Sequence, residues 1–176
     1  VRRHVLVGGC VRDELLGRTP RDWDVTTDAL PEETARTFAG IPVIPTGMKH
    51  GTVTVLAGGT PVEVTTYRVD GAYSDGRHPD SVRFTRSLAE DLARRDFTVN
   101  ALAYSEADGL VDLFGGKEDL AAGVIRCVGD PDDRFREDSL RVLRALRLCS
   151  ELGFTLESRT AAAALRNRAL LERVSA

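Results

Sequence analysis

The chain changes its hydrophobic rhythm at Asp130-Pro131, and that change limits what it can fold into more than any other feature. Upstream, short β-rich runs alternate with polar or glycine-rich breaks; downstream, apolar residues recur at helical spacing. Strands are predicted at residues 5–7, 23–26, 52–56, 62–66 and 81–84, with Gly58-Gly59-Thr60 as the turn of a hairpin. Helices are predicted at 11–16, at 31–38 with Pro31 in the first turn, and at 88–102 with a break near Asp96. A boundary is expected near residue 125, dividing a mixed α/β part, 1–125, from an all-helical part, 126–176. With 176 residues, 42% of them hydrophobic, there is material for one core or two small ones.

Two aspartates separated by one residue, Asp22 and Asp24, fall at the start of the second predicted strand, in a segment read as extended from Asp22 to Val25. Residues i and i+2 of a strand point to the same face, so both carboxylates aim at one place. A divalent cation such as Mg2+ takes hard oxygen ligands from one or two carboxylates and completes its shell with substrate phosphates. Gly8 and Gly9, just after the first strand, let backbone approach a phosphate chain closely, and Arg12 can fork onto its oxygens. Either feature alone is an ordinary turn; the two together describe a metal-dependent phosphate site.

A second cluster runs from Asp91 through Arg94-Arg95-Asp96-Phe97-Thr98-Val99-Asn100-Ala101, and a third from Arg134 to Arg147, containing Glu137, Asp138, Arg141 and Arg144. By composition alone the second is an exposed helix with local ion pairs. The third reads as one strong helix, with Asp138 and Arg141 at i and i+3 and therefore able to pair; such a surface pair contributes under about 1 kcal/mol. The net charge is -3, yet between Arg134 and Arg173 nine arginines face five acids, leaving that third of the chain basic by four. Cys10, Cys127 and Cys149 are far apart, as are His4, His50 and His78, which argues against disulfides and zinc and fits a reducing cytoplasm. No run approaches the roughly 18 apolar residues of a membrane span, and the start lacks a signal-peptide pattern, so a soluble protein is expected.

Gly8-Gly9-x-Val11-Arg12-Asp13, Leu15-Leu16-Gly17-Arg18 and Asp22-x-Asp24 resemble the first motif of the class II tRNA nucleotidyltransferase and poly(A) polymerase family of the polymerase beta superfamily. Arg94-Arg95-Asp96-Phe97-Thr98-x-Asn100-Ala101 is similar to the second motif of that family, and Glu137-Asp138-x-x-Arg141 to its base-selection motif. The resemblance implies an α+β fold: a polymerase-beta-like head with a mixed sheet flanked by helices, then an all-helical neck. It implies template-independent addition of C and A to the 3′ end of tRNA from CTP and ATP, with two Mg2+ ions held by Asp22 and Asp24. Glu63, on the strand before the loop 67–80, is a candidate third carboxylate at the metals.

By the same resemblance, Gly8, Gly9, Arg12, Arg95, Arg144 and Arg147 contact nucleotide. Asp96 accepts a hydrogen bond from a ribose hydroxyl or orients Arg95. Asp138 and Arg141 present a protein version of a Watson-Crick edge. A carboxylate accepts from the exocyclic amino group that C and A both carry, while a guanidinium donates to ring nitrogens or carbonyls. The glycine-rich loop 67–80, expected to be mobile, resembles the segment that helps CCA-adding members switch from C to A. Alternatives left open are a bacterial poly(A) polymerase, a CC-adding relative, and a nucleotide-binding fragment without catalysis. Family members are longer, so the chain, from Val1 to Ala176, is expected to be a head-plus-neck portion.

Overall fold

The protein is described from a computed structural model covering residues 2–173; Val1 and residues 174–176, the end of the expected neck, lie outside the described residues. In chain order the elements are β1 (His4–Val7), α1 (Gly9–Leu15), β2 (Trp23–Thr27), α2 (Pro31–Thr37), β3 (Val43–Ile44), β4 (Thr52–Ala57), β5 (Thr60–Thr66) and β6 (Arg68–Asp70). There follow β7 (Val82–Phe84), α3 (Leu88–Ala93), β8 (Leu102–Ser105), β9 (Gly109–Asp112), α4 (Gly116–Ala122) and β10 (Val124–Ile125). The chain closes with α5 (Pro131–Glu137), α6 (Leu140–Leu152), β11 (Thr155–Leu156) and α7 (Ser158–Arg166).

Seven strands form one mixed sheet in the order β3-β4-β5-β2-β1-β8-β9. Only β2 and β5 run parallel within it, and that pairing sets Asp24 beside Glu63. The expected hairpin is present: Ala57 pairs with Thr60 across Gly58-Gly59, whose φ angles of 59° and 87° suit the tight two-residue turn that glycine allows. The α+β expectation holds, with the sheet packed between helices. Val53, Val55 and Val64 form a small apolar cluster under α2, while Val5, Val7, Tyr67, Leu88, Leu92 and Ala103 form another under α3. The largest cluster takes Cys10 and Val11 from α1, Phe97, Val99, Leu102 and Ile125 from the middle of the chain, and Phe135, Val142, Ala145, Leu148 and Ala163 from the last helices. One apolar body thus underlies both the sheet and the C-terminal helices.

Three predicted elements differ from what is observed. The helix expected over 88–102 is interrupted near Asp96 as expected, but α3 already ends at Ala93 and only the 3-10 turn Thr98–Asn100 follows the break. Asp96 accepts a hydrogen bond from the Phe97 N–H, and Phe97 and its neighbours pair with 126–128, the Thr98 N–H donating to Arg126 O and the Val128 N–H to Asp96 O. Phe97 alone takes this extended path, at φ −127°, ψ 149°, and Thr98–Asn100 follow as a short 3-10 turn, although the buried apolar residues of this run carry helical spacing. The helix expected through 134–147 is likewise broken, because Asp138 adopts extended φ −138°, ψ 104° and its carboxylate accepts the Leu140 N–H. Aspartate and serine compete with the helical backbone for hydrogen bonds, and Asp138-Ser139 does so here. Beyond Asp130-Pro131 the chain is not wholly helical either, since β11 pairs with β10.

The loop 67–80 is not free of structure. Its first residues form β6, paired with β7; the Tyr73 hydroxyl donates to Asp70, and Gly76 O accepts the Ser139 N–H at the break between α5 and α6.

Candidate active site

Asp22 stands just before β2 and Asp24 on it, both lining a polar cavity of about 690 Å³ with Gly9, Arg12, Asn100, Arg144 and Arg147. The two carboxylates therefore face one space. Burial pushes the Asp24 carboxyl up, Arg95 pulls it part of the way back, and the neighbouring Asp22 raises it further. Its uncompensated charge is what a cation would relieve. The donor set, two hard carboxylate oxygens opening onto a polar cleft, fits Mg2+ completed by phosphate oxygens. Glu63 is raised by burial and then by Asp24 and Asp22, but it is exposed and outside the cavity lining. Among the described residues, no three His, Cys, Asp or Glu side chains gather as a metal-holding group.

Gly8 holds φ 82°, and a Cβ there would lie 3.3 Å from Arg95 Nη1 and 3.7 Å from Asp24 Oδ2. Glycine at this turn therefore lets the second motif's arginine close onto the acidic strand. Arg95 donates to Asp91 Oδ2 at 3.4 Å. Asp91 has no exposed surface and gathers Arg94 Nε and Nη2, the Arg68 N–H and the Thr26 hydroxyl as well. Burial raises its pKa, yet Arg94 and Arg95 hold the carboxyl below the usual range.

Asp96 is tied to Arg144 rather than to Arg95. Its Oδ2 accepts Arg144 Nε at 2.8 Å and Nη2 at 2.6 Å, while Oδ1 accepts the Phe97 N–H and Asn100 Nδ2. Burial pushes this carboxyl up, but the Arg144 guanidinium and these bonds outweigh it and leave the group lowered.

Arg141 is buried and donates to Glu137 Oε2 at 2.6 Å, to Arg134 O and to Arg94 O. The expected Asp138–Arg141 pair is replaced by this Glu137–Arg141 pair, because at the chain break the Asp138 carboxylate accepts the Leu140 N–H instead. Asp138 and Arg141 nevertheless line one cavity, about 320 Å³, with Arg95, Asp96, Arg144 and the loop residue Tyr73. Arg144 lines both cavities. Arg147, largely exposed, lies 3.8 Å from Glu151. Much of the arginine excess downstream of residue 130 is thus matched locally, by Glu137, Asp96, Glu151 and, for Arg166, Asp132.

Sequence reasoning missed the anchoring roles of Asp91 and Asn100. Both sit in the second cluster, and their signal was a short polar side chain flanking the arginine pair. A larger cavity of about 790 Å³ lies between α2 and the sheet, walled by Val25, Val55, Val62, Val64 and Phe38; it contains none of the predicted site residues and is no rival for the chemistry.

The arrangement is thus an α+β scaffold whose mixed sheet carries an acidic pair close to a glycine turn, with guanidiniums held around it by buried carboxylates. Residues 4–126 match the Poly A polymerase head domain, and the chain belongs to that family. It is 52% identical over 169 residues, 96% of its own length, to the CCA-adding enzyme of Lactobacillus delbrueckii subsp. bulgaricus, of which it covers 42%. The crystal structure of the Bacillus stearothermophilus CCA-adding enzyme in complex with CTP matches with TM-score 0.88 and 47% identity, over 99% of this chain and 41% of that one. A tRNA nucleotidyltransferase complexed with a primer tRNA and an incoming ATP analog matches with TM-score 0.76 and 36% identity, over 96% of this chain and 47% of that one. The chain spans about two fifths of the length of the curated relatives it matches. No helix among the described residues is long and apolar enough to cross a membrane.

Proposed function

We propose that this chain is the nucleotidyl-transferring portion of a CCA-adding enzyme, which extends the 3′ end of tRNA with C and A from CTP and ATP without a nucleic-acid template. The observation that carries this reading is the single cavity lined by Asp22, Asp24, Arg12, Arg144 and Arg147. The likeness to CCA-adding enzymes, one in complex with CTP, supports it. Residues 1–125 are read as the catalytic head and 126–176 as the neck that selects the base. Free thiols at Cys10, Cys127 and Cys149 suit a cytoplasmic setting.

Asp22 and Asp24 would hold two Mg2+ ions, with Glu63 the neighbouring carboxylate in register. Bound there, Mg2+ supplies charge neutralisation at the attacking and leaving oxygens of an in-line phosphoryl transfer that releases pyrophosphate. The protein's own contribution is placement. Gly8 and Gly9 admit the triphosphate close to backbone, while Arg12, Arg95, Arg144 and Arg147 offer guanidinium donors to its oxygens. In the adjoining cavity, Asp138 accepts from the exocyclic amino group of C or A, and Arg141, fixed by Glu137, donates to the ring. U and G lack that amino group at the corresponding edge. Asp96 stays ionised and keeps Arg144 at the junction of the two cavities.

The test supplies a tRNA ending at its discriminator base with each labelled nucleoside triphosphate in turn. Incorporation of CTP followed by ATP is expected. ATP alone would indicate poly(A) addition, CTP alone a CC-adding relative, and nucleotide binding without incorporation a non-catalytic portion; each overturns the reading.

A further inference from the structure

We infer that Asn100 is a positioning residue, an amide bridge that locks Arg12 and Arg144 into one nucleotide-facing arrangement. This inference rests on the nucleotide-binding reading above. Asn100 ends the short 3-10 turn 98–100, is 9% exposed, and reaches the cavity of the acidic pair. Its Oδ1 accepts Arg12 Nη1 at 2.8 Å, and its Nδ2 donates to Asp96 Oδ1 at 3.3 Å. Asp96 in turn accepts Arg144 Nε and Nη2. The two arginines come from α1 and α6, more than 100 residues apart in sequence, and are joined through one amide and one carboxylate.

The chemistry of the bridge admits no other single orientation. A guanidinium has only donors and must meet the amide oxygen; an ionised carboxylate has only acceptors and must meet the amide nitrogen. Neither aspartate nor serine reproduces both contacts with the same geometry. Arg144 is 48% exposed on its side chain, so without Asp96 it would lose several rotamers' worth of freedom on meeting a ligand. Prior fixing of such a side chain lowers the cost of binding. Arg12, already held by Asp13 through Nε and Nη2, gains from Asn100 its second fixed point. The loss of the bridge should therefore be felt as weaker nucleotide binding, through Arg12, which Asn100 holds directly, and through Arg144 by way of Asp96.

The experiment uses the full 176-residue chain and measures CTP and ATP dissociation constants by calorimetry, KM and kcat for incorporation, and the thermal midpoint. Variants are Asn100→Ala, Asn100→Asp, Arg144→Ala and the double variant Asn100→Ala with Arg144→Ala. Asn100→Ala is expected to weaken nucleotide binding and raise KM by about 10-fold while kcat stays within about 3-fold. Asn100→Asp keeps an acceptor for Arg12, loses the donor to Asp96 and adds a like charge beside it, so its loss should be at least as large; it also serves should Asn100→Ala not fold. In the double variant the loss should fall clearly short of the product of the two single losses, since neighbours in one network are not additive. Unchanged affinity in Asn100→Ala, full additivity with Arg144→Ala, or a fall in kcat that merely tracks a lower thermal midpoint would overturn the bridge. If the parent chain binds neither nucleotide, the nucleotide-binding reading itself has failed; if it binds and the variants bind equally, only the bridge has.

Discussion

Asp24 and Glu63 lie side by side across the parallel β2–β5 ladder; burial raises both carboxyls, and the charge of Asp24 raises Glu63 further. Like charges set next to one another in a partly buried place are a cost that the apo fold carries. Such a cost is usual where charge is needed for a ligand rather than for folding.

Replacing Asp24 with Asn should therefore raise the thermal midpoint of the metal-free chain while lowering nucleotide incorporation by a factor of about 10³. Asp22→Asn should lower incorporation comparably. Calorimetry and a labelled-nucleotide assay on the same preparations check this, and a lower midpoint for Asp24→Asn would contradict the electrostatic account.

Adding Mg2+ should raise the midpoint of the parent chain by mass action, because the ion binds the folded carboxylate pair and not the unfolded chain. Asp22→Asn and Asp24→Asn should lose most of that rise. A melting series against Mg2+ concentration reads it directly.

Gly8→Ala should destabilise the chain by about 1 to 2 kcal/mol, since φ 82° is strained for alanine and the new methyl would press on Arg95 Nη1. Weaker ATP and CTP binding should accompany the loss, measured by denaturant titration and calorimetry.

Arg141→Ala should cost about 2 kcal/mol, less than the ~3–5 kcal/mol of a fully buried pair, because Glu137 keeps a quarter of its side chain in water. Its larger effect should fall on selectivity. Relative incorporation of UTP and GTP should rise against CTP and ATP, a competition assay that an intact preference would answer in the negative.

Burial pushes the Cys127 thiol up to about 12 from its ordinary 9.0. The folded pKa is raised, so the stability tied to the neutral thiol is whole below pH 9 and is lost as pH climbs towards 12. Cys127→Ala should flatten the alkaline arm of the stability curve between those values. Equilibrium unfolding at successive pH values tests it.

The acidic pair was legible from its spacing, one residue apart at the entry to an extended segment, and both side chains line one cavity although Asp22 itself lies just before β2. The hairpin at Gly58-Gly59 and the first turn at Pro31 were legible for similarly local reasons. What escaped was decided by distant partners. Leu88, Leu92, Val99 and Leu102 are all buried and carry helical spacing, yet pairing between 96–98 and 126–128 takes the chain out of the helix. Arg141 was assigned to Asp138 by spacing alone; the choice of Glu137 follows from the break at Asp138-Ser139, which depends on Gly76 accepting the Ser139 N–H. Buried tethers such as Asp91 and Asn100 look like any polar residue until the side chains they hold are seen together.

Arg144 borders both the cleft of the acidic pair and the smaller cavity of Asp138 and Arg141. In the proposed enzyme, fidelity and speed would then share one guanidinium. Selection acting there to sharpen the choice of base would also disturb delivery of the phosphates, so improved variants should arise at positions touching one chamber only.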